Sequence, residues 1–148
     1  MASSRPLFVA SLLKHSDVPH VLRNERTGAV LATGLEGAFE SRARRRGLLG
    51  RDVMAPGAAL IIAPCNSIHT FFMRFPIDVV FVRRDGEVVK ICRRVPSWRL
   101  RLAPRAFAVV EFAAGALDNQ AIARGDRLVA APREPAGLEP RPSTTATV

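Results

Sequence analysis

The stretch from Pro64 to Val82, PCNSIHTFFMRFPIDVVFV, carries a polar loop and then a strand whose apolar run is broken by one carboxylate, Asp78. Burying an unpaired charge costs several kcal/mol or forces neutralisation, so an acid at that position needs a partner. In a strand the side chains alternate between faces. Ile77, Val79 and Phe81 therefore share one face, and Asp78, Val80 and Val82 the other. Asp78 thus begins an otherwise apolar face and is expected to be half buried.

Working outward, Asp85-Gly86 is the strongest hairpin signal in the chain, with Ile77 to Arg83 on one side and Glu87 to Arg93 returning. Upstream, Val21 to Asn24 and Ala29 to Ala32 flank ERTG and read as a first hairpin. Ala59 to Ala63 makes a short buried strand, and Phe107 to Phe112 and Arg127 to Ala130 are two more. The segment PSWRLRLAPR reads as a connection and Asn66 to Pro76 as a loop.

Thr33 with Glu36 forms a T-x-x-E capping box, and Leu35, Phe39 and Ala43 make a stripe at i, i+4 spacing. This predicts a helix over about residues 34 to 46, with Glu40 paired to Arg44 and Gly47 as its stop. The expected fold is mainly β (α+β), a compact sheet or partly closed barrel of about seven short strands with one helix packed across it. Residues 1–19 are expected to be a flexible lead-in, 20–130 one globular domain, and the Pro-rich 131–148 a disordered tail.

The chain has 148 residues, enough for one core. Its charge is lopsided, with 22 basic against 13 acidic residues. All the basic residues except Lys14 and Lys90 are arginine, and there is no tyrosine. That skew fits the codon bias of a GC-rich genome, which lowers its weight as a functional signal. Arg42 to Arg46 has its own structural account, because cations near a helix C-terminus are favoured. No aromatic platform accompanies that run, so nucleic-acid binding through it is the least favoured reading.

No segment approaches the roughly 18 apolar residues of a membrane span. Leu7 to Leu13 is short for a signal core and lacks an A-x-A cleavage pattern, so a cytoplasmic location is expected. Cys65 and Cys92 are too few for a four-thiolate zinc site. One lies in a loop and the other late in a strand, so pairing is geometrically open, and the default reading is two free, mostly buried thiols.

Glu111 repeats the theme of Asp78, an acid within Val109 to Ala113. Were the two acids to converge with His69, the trio could bind a divalent metal or do acid-base work. Each acid could instead accept backbone N–H groups of a loop or pair with Arg51 or Arg74. For Asp78 the favoured role is to hold the segment from Asn66 to Pro76. His15 and His20 sit outside any such site, and His69 lacks the spacing of a known metal motif, so no metal is assigned. The candidate pocket comprises Asn66, His69, Thr70, Met73, Asp78, Trp98 and Glu111, polar handles beside the apolar floor of Phe71, Phe72 and Met73. Trp98 is read as a cover over the barrel mouth. Thr33, Gly47, Gly86, Gly115, Gly125 and Asp126 take structural roles at a cap, a helix stop and turns. Cys65 with His69 as base is a weak nucleophile candidate, since no acyl-transfer signature surrounds it.

GLLGR (Gly47 to Arg51), IHTFFMRFPIDVVFV (Ile68 to Val82), VVEFAAG (Val109 to Gly115) and RGDRL (Arg124 to Leu128) occur in order. Together they resemble the bacterial and archaeal family called domain of unknown function 192. The resemblance spans about residues 20 to 130 and includes His69, Thr70, Met73, Asp78, Glu111, Gly115, Gly125 and Asp126. It implies a small, mainly β domain, and many members carry a signal peptide or membrane anchor. It carries over no catalytic activity and no cofactor. Two readings remain: a binding or accessory domain with a small ligand or protein partner, or a metal-assisted or acid-base enzyme using the same residues.

Overall fold

The computed structural model describes residues 4–135. Its centre is a five-stranded sheet in the order β3-β4-β9-β6-β7. These strands are β3 (Gly34–Ala38), β4 (Ala58–Ile62), β6 (Ile77–Val82), β7 (Val88–Val95) and β9 (Ala108–Ala113). Only the β3–β4 pair is parallel. All six residues of β6 are buried, Asp78 included, which is deeper than the half burial expected for it, because the sheet is covered on both faces.

A three-stranded sheet, β10-β1-β2, covers one face of the central sheet. It is built from β1 (His20–Asn24), β2 (Val30–Ala32) and β10 (Leu128–Pro132), so the first hairpin forms where the sequence places it. Leu22, Leu31 and Leu128 meet Val80, Val110 and Phe112 in this layer. The other face packs on Leu48, Met54, Ile68, Met73 and Ala103, with Val79, Phe81 and Val109 supplied by the sheet. Short strands β5 (Ser67–His69) and β8 (Leu100–Leu102) form an antiparallel ribbon over that second core. The architecture is therefore mainly β (α+β), as expected; of the two forms expected it takes sheets rather than a partly closed barrel, with ten strands among the described residues instead of about seven.

Several expectations are corrected. Residues 34–38 are a strand, and the helix shrinks to α2 (Ser41–Arg46). Gly34 and Gly37 weaken any helix there, and register with β4 from Gly34↔Ala58 to Ala38↔Ile62 satisfies the backbone instead. Thr33 caps nothing; its N–H donates to Gly57 O. Arg44 does not pair with Glu40 but donates to Phe39 O and Ser41 Oγ. Gly47 does end the helix, at φ 45°.

The lead-in is docked, because Phe8, Val9 and Leu12 around α1 (Ala10–Lys14) are buried in the first core. Likewise β10 extends through Ala131 and Pro132, past the expected start of the tail, and residues 136–148 of that tail lie outside the described residues. Gly86 is required at its turn. Its φ is 87°, and a Cβ there would collide with the Leu128 carbonyl, which the last strand brings against the hairpin. Among the described residues no helix is long and apolar enough to cross a membrane.

Candidate functional site

The two strand acids point to opposite sides of the sheet. Asp78 lies opposite Phe112, and Glu111 opposite Val79 and Leu60. Directly opposed residues share a face. Asp78 therefore enters the core under β10-β1-β2, and Glu111 enters the core under the β5–β8 ribbon. The expected convergence of Asp78, Glu111 and His69 does not occur, because strand register places the two acids out of phase. Among the described residues no three His, Cys, Asp or Glu side chains gather closely enough to hold a metal ion.

Asp78 is wholly buried and wholly occupied. Its Oδ1 accepts the Arg94 N–H at 2.8 Å, and its Oδ2 accepts those of Gly115 and Leu117, each at 3.1 Å. Arg94 sits at φ 50° in a bulge: β7 supplies two residues, Arg93 and Arg94, between the pairs Ile77↔Val95 and Val79↔Cys92. The carboxylate takes the N–H that the bulge removes from the ladder. Its holding role is as expected, but the segments held are the β7 bulge and the turn after β9, not the His69 loop. Arg51 and Arg74 are committed elsewhere, to Glu36 and Asp52.

Glu111 is the opposite case. It is 4% exposed, and its Oε2 has no hydrogen-bond partner. Burial pushes its carboxyl up to about 7, against a smaller opposing pull from the Arg51 charge. Glu111 lines a cavity of about 650 Å³ between α2 and the β5 strand. Arg44, Arg45 and Arg46 stand on one wall, Cys65, Ser67 and His69 on another, and Ile62, Ile68 and Met73 supply apolar surface.

Of the expected pocket residues, His69, Met73 and Glu111 meet at this cavity, and Asn66, Thr70, Asp78 and Trp98 do not. Asn66 is exposed outside it. Thr70 is buried because it ties two loops together. Its hydroxyl donates to Pro96 O at 2.7 Å and accepts the Arg99 N–H at 2.9 Å, and its carbonyl accepts the Trp98 N–H at 3.0 Å. Trp98 is 56% exposed and covers no barrel mouth, since the described residues form open sheets; it packs on Phe72 at 4.7 Å between ring centres. Phe72 and Trp98 both hold positive φ, 65° and 64°. For bulky residues that strain is about 1–3 kcal/mol each and persists only where surrounding bonds fix it. The Thr70 network, with Ser97 Oγ donating to Met73 O at 2.7 Å, provides that fixing.

Cys65 faces the cavity as a thiol rather than a thiolate. Burial raises its pKa, and its Sγ–H donates to Ser67 O at 3.0 Å. Cys65 and Cys92 are both free. Gly125 and Asp126 form a turn as expected, yet Asp126 does more. It accepts from Asn24, from Arg26 and from the Ala123 N–H, joining the first hairpin to the last strand. The arginine wall escaped sequence reasoning, because it becomes a wall only when α2 folds back beside β4 and β5.

Two solved structures share this architecture. One, from Sinorhizobium meliloti 1021, has a description that proposes a transcription regulator. It is 21% identical, with a TM-score of 0.66 over 75% of this chain and 91% of that one. The other is a protein of unknown function from Novosphingobium aromaticivorans DSM 12444, also 21% identical, with a TM-score of 0.64 over 74% and 82%. At that identity the likeness speaks for the fold alone. No curated protein matches the chain. The model of the family DUF192, described as an uncharacterised ACR, matches residues 22–130, from within β1 to within β10, and the chain belongs to that family.

Proposed function

We propose that this is a binding domain for small organic anions with an apolar portion, acting in the cytoplasm, where its two thiols would stay free. The observation that carries the reading is Glu111: a buried carboxyl with an unpartnered oxygen, lining a cavity of about 650 Å³ walled by three arginines. That size is within the range of small-molecule sites. Guanidinium groups attract a carboxylate or similar anion. A carboxyl raised to about 7 does not oppose that anion below neutrality, and in its protonated form it offers an O–H to a ligand acceptor. Met73, Ile62 and Ile68 receive the apolar portion.

Hexanoate is a suitable first probe, followed by NMR of the methionine methyl groups. The Met73 methyl should shift saturably, with affinity rising as pH falls through about 7. Glu111→Gln, neutral at every pH, should bind with little pH dependence. An unmoved Met73 methyl, or equal binding of hexylammonium, would reject the reading. A nucleic-acid role through Arg42 to Arg46 has less support, because α2 is six residues long and Arg44 is tied to Phe39 and Ser41.

A further inference from the structure

The ribbon of β5 and β8 turns its outer face to solvent. Ser67 lies opposite Leu102 and His69 opposite Leu100, so these four share that face. Leu100 and Leu102 are more than half exposed. The face continues into a ring cluster: His69 stacks on Phe71 at 5.1 Å, Phe71 meets Trp98 at 5.7 Å, and Trp98 meets Phe72. Phe72 is 73% exposed. Contiguous apolar surface of this kind marks an interaction site. It is also built rather than incidental, because Phe72 and Trp98 are held outward in left-handed backbone conformations by the Thr70 network.

Charge points to the partner. The two segments that make the face, residues 66–76 and 88–107, contain no Asp or Glu. Lys90, Arg99 and Arg101 donate to the carbonyls of Leu102, Trp98 and Leu100, which sets three cations along β8. None of the three has a carboxylate within salt-bridge distance among the described residues.

We infer that this face docks on an anionic lipid bilayer, with Phe71, Phe72, Trp98, Leu100 and Leu102 entering the interface and Lys90, Arg99 and Arg101 meeting headgroups. Aromatic and leucine side chains beside unpaired cations are the makeup of an interfacial anchor. Single-stranded nucleic acid fits less well. Its bases need open ring faces. Here the rings close on one another, and two leucines occupy the rest of the face. The face meets the anion cavity at Ser67 and His69, but none of the five residues that enter the interface and none of the three cations lines that cavity.

Trp98 is the only tryptophan, so its emission reports this face alone. With vesicles of phosphatidylglycerol in phosphatidylcholine, the emission should shift to the blue, brominated acyl chains should quench it, and the protein should float with the vesicles. Pure phosphatidylcholine should bind at least about tenfold more weakly. The double variant Phe72→Asn, Leu100→Thr changes two exposed residues and keeps one that tolerates positive φ. It should lose about tenfold or more in vesicle affinity at an unchanged melting temperature. Absence of quenching by brominated anionic lipid in the native protein would overturn the inference. So would a folded double variant that floats like the native protein, since charge alone would then explain the association. Quenching of Trp98 by an oligothymidylate, with vesicles inert, would assign the face to nucleic acid instead.

Discussion

Asp78 and Glu111 are two buried acids on neighbouring strands, and their surroundings give them opposite work. Asp78 satisfies three backbone N–H groups with one charge, so it fastens the β7 bulge and the turn after β9 to the sheet. Asparagine is nearly isosteric, but it replaces one accepting oxygen with an NH₂ group that faces donors. Asp78→Asn should therefore cost about 2–4 kcal/mol, at least one charge-assisted hydrogen bond and one unsatisfied donor. Urea unfolding of the variant reads this, and a loss below about 1 kcal/mol would show that the turn holds itself. Glu111 fastens nothing, since its Oε2 is unpartnered. That contrast was only half legible in the chain. An acid inside an apolar run announces a partner, but the partners of Asp78 lie at Arg94, Gly115 and Leu117, far along the sequence, where no local pattern marks them. The face that each acid takes depends on how β6 and β9 pair, which sequence alternation within either strand leaves open.

Among the elements, β3 shows how tertiary pairing overrides a local signal. T-x-x-E and the i, i+4 stripe are sound helix cues, yet the parallel ladder with β4 takes the backbone, and Glu36 turns outward to Arg51. The ribbon strands β5 and β8 were illegible for a different reason: three residues are too few to display a period. By contrast β6, β7 and β9 could be read directly, because each is long enough to show its pattern. Gly37 separates the two readings of residues 34–38 by sign. In an exposed helix, Gly37→Ala would stabilise by about 1 kcal/mol. In the observed strand, an added Cβ runs into the ring of Phe39, which packs on the first core. Displacing that ring should make Gly37→Ala destabilising by about 1–2 kcal/mol. Melting curves of this variant, alone and with Phe39→Leu to relieve the clash, check the assignment. Stabilisation by Gly37→Ala alone would contradict the strand.

At the scale of the whole molecule, Asp126 and Glu111 impose opposite pH dependences on one stability curve. Asp126 joins the first hairpin to the last strand, and the Arg26 hydrogen bond holds its carboxyl well below the ordinary range, helped by Asn24 and the Ala123 N–H against burial. Its contribution is present above the ordinary carboxyl value of 3.8 and is lost as pH falls below it. Glu111 works the other way. Between 4.5 and about 7 the folded protein keeps a proton that the unfolded chain has released, so raising the pH favours unfolding across that window. The difference between its ends is about 3 kcal/mol. The thermal midpoint should therefore peak on the acid side of neutrality, around pH 5, rather than in a plateau extending to pH 8. Glu111→Gln should flatten the fall between pH 5 and 8 and so exceed the native protein in stability at pH 8. Asp126→Asn should lower stability at pH 5 while softening the fall in acid. Melting temperatures of the three proteins across pH 3 to 8 separate the contributions. A native midpoint that does not drop between pH 5 and 8 would mean that the Glu111 carboxyl finds water or a partner in the folded state, and the pH-sensitive floor of the anion cavity would go with it.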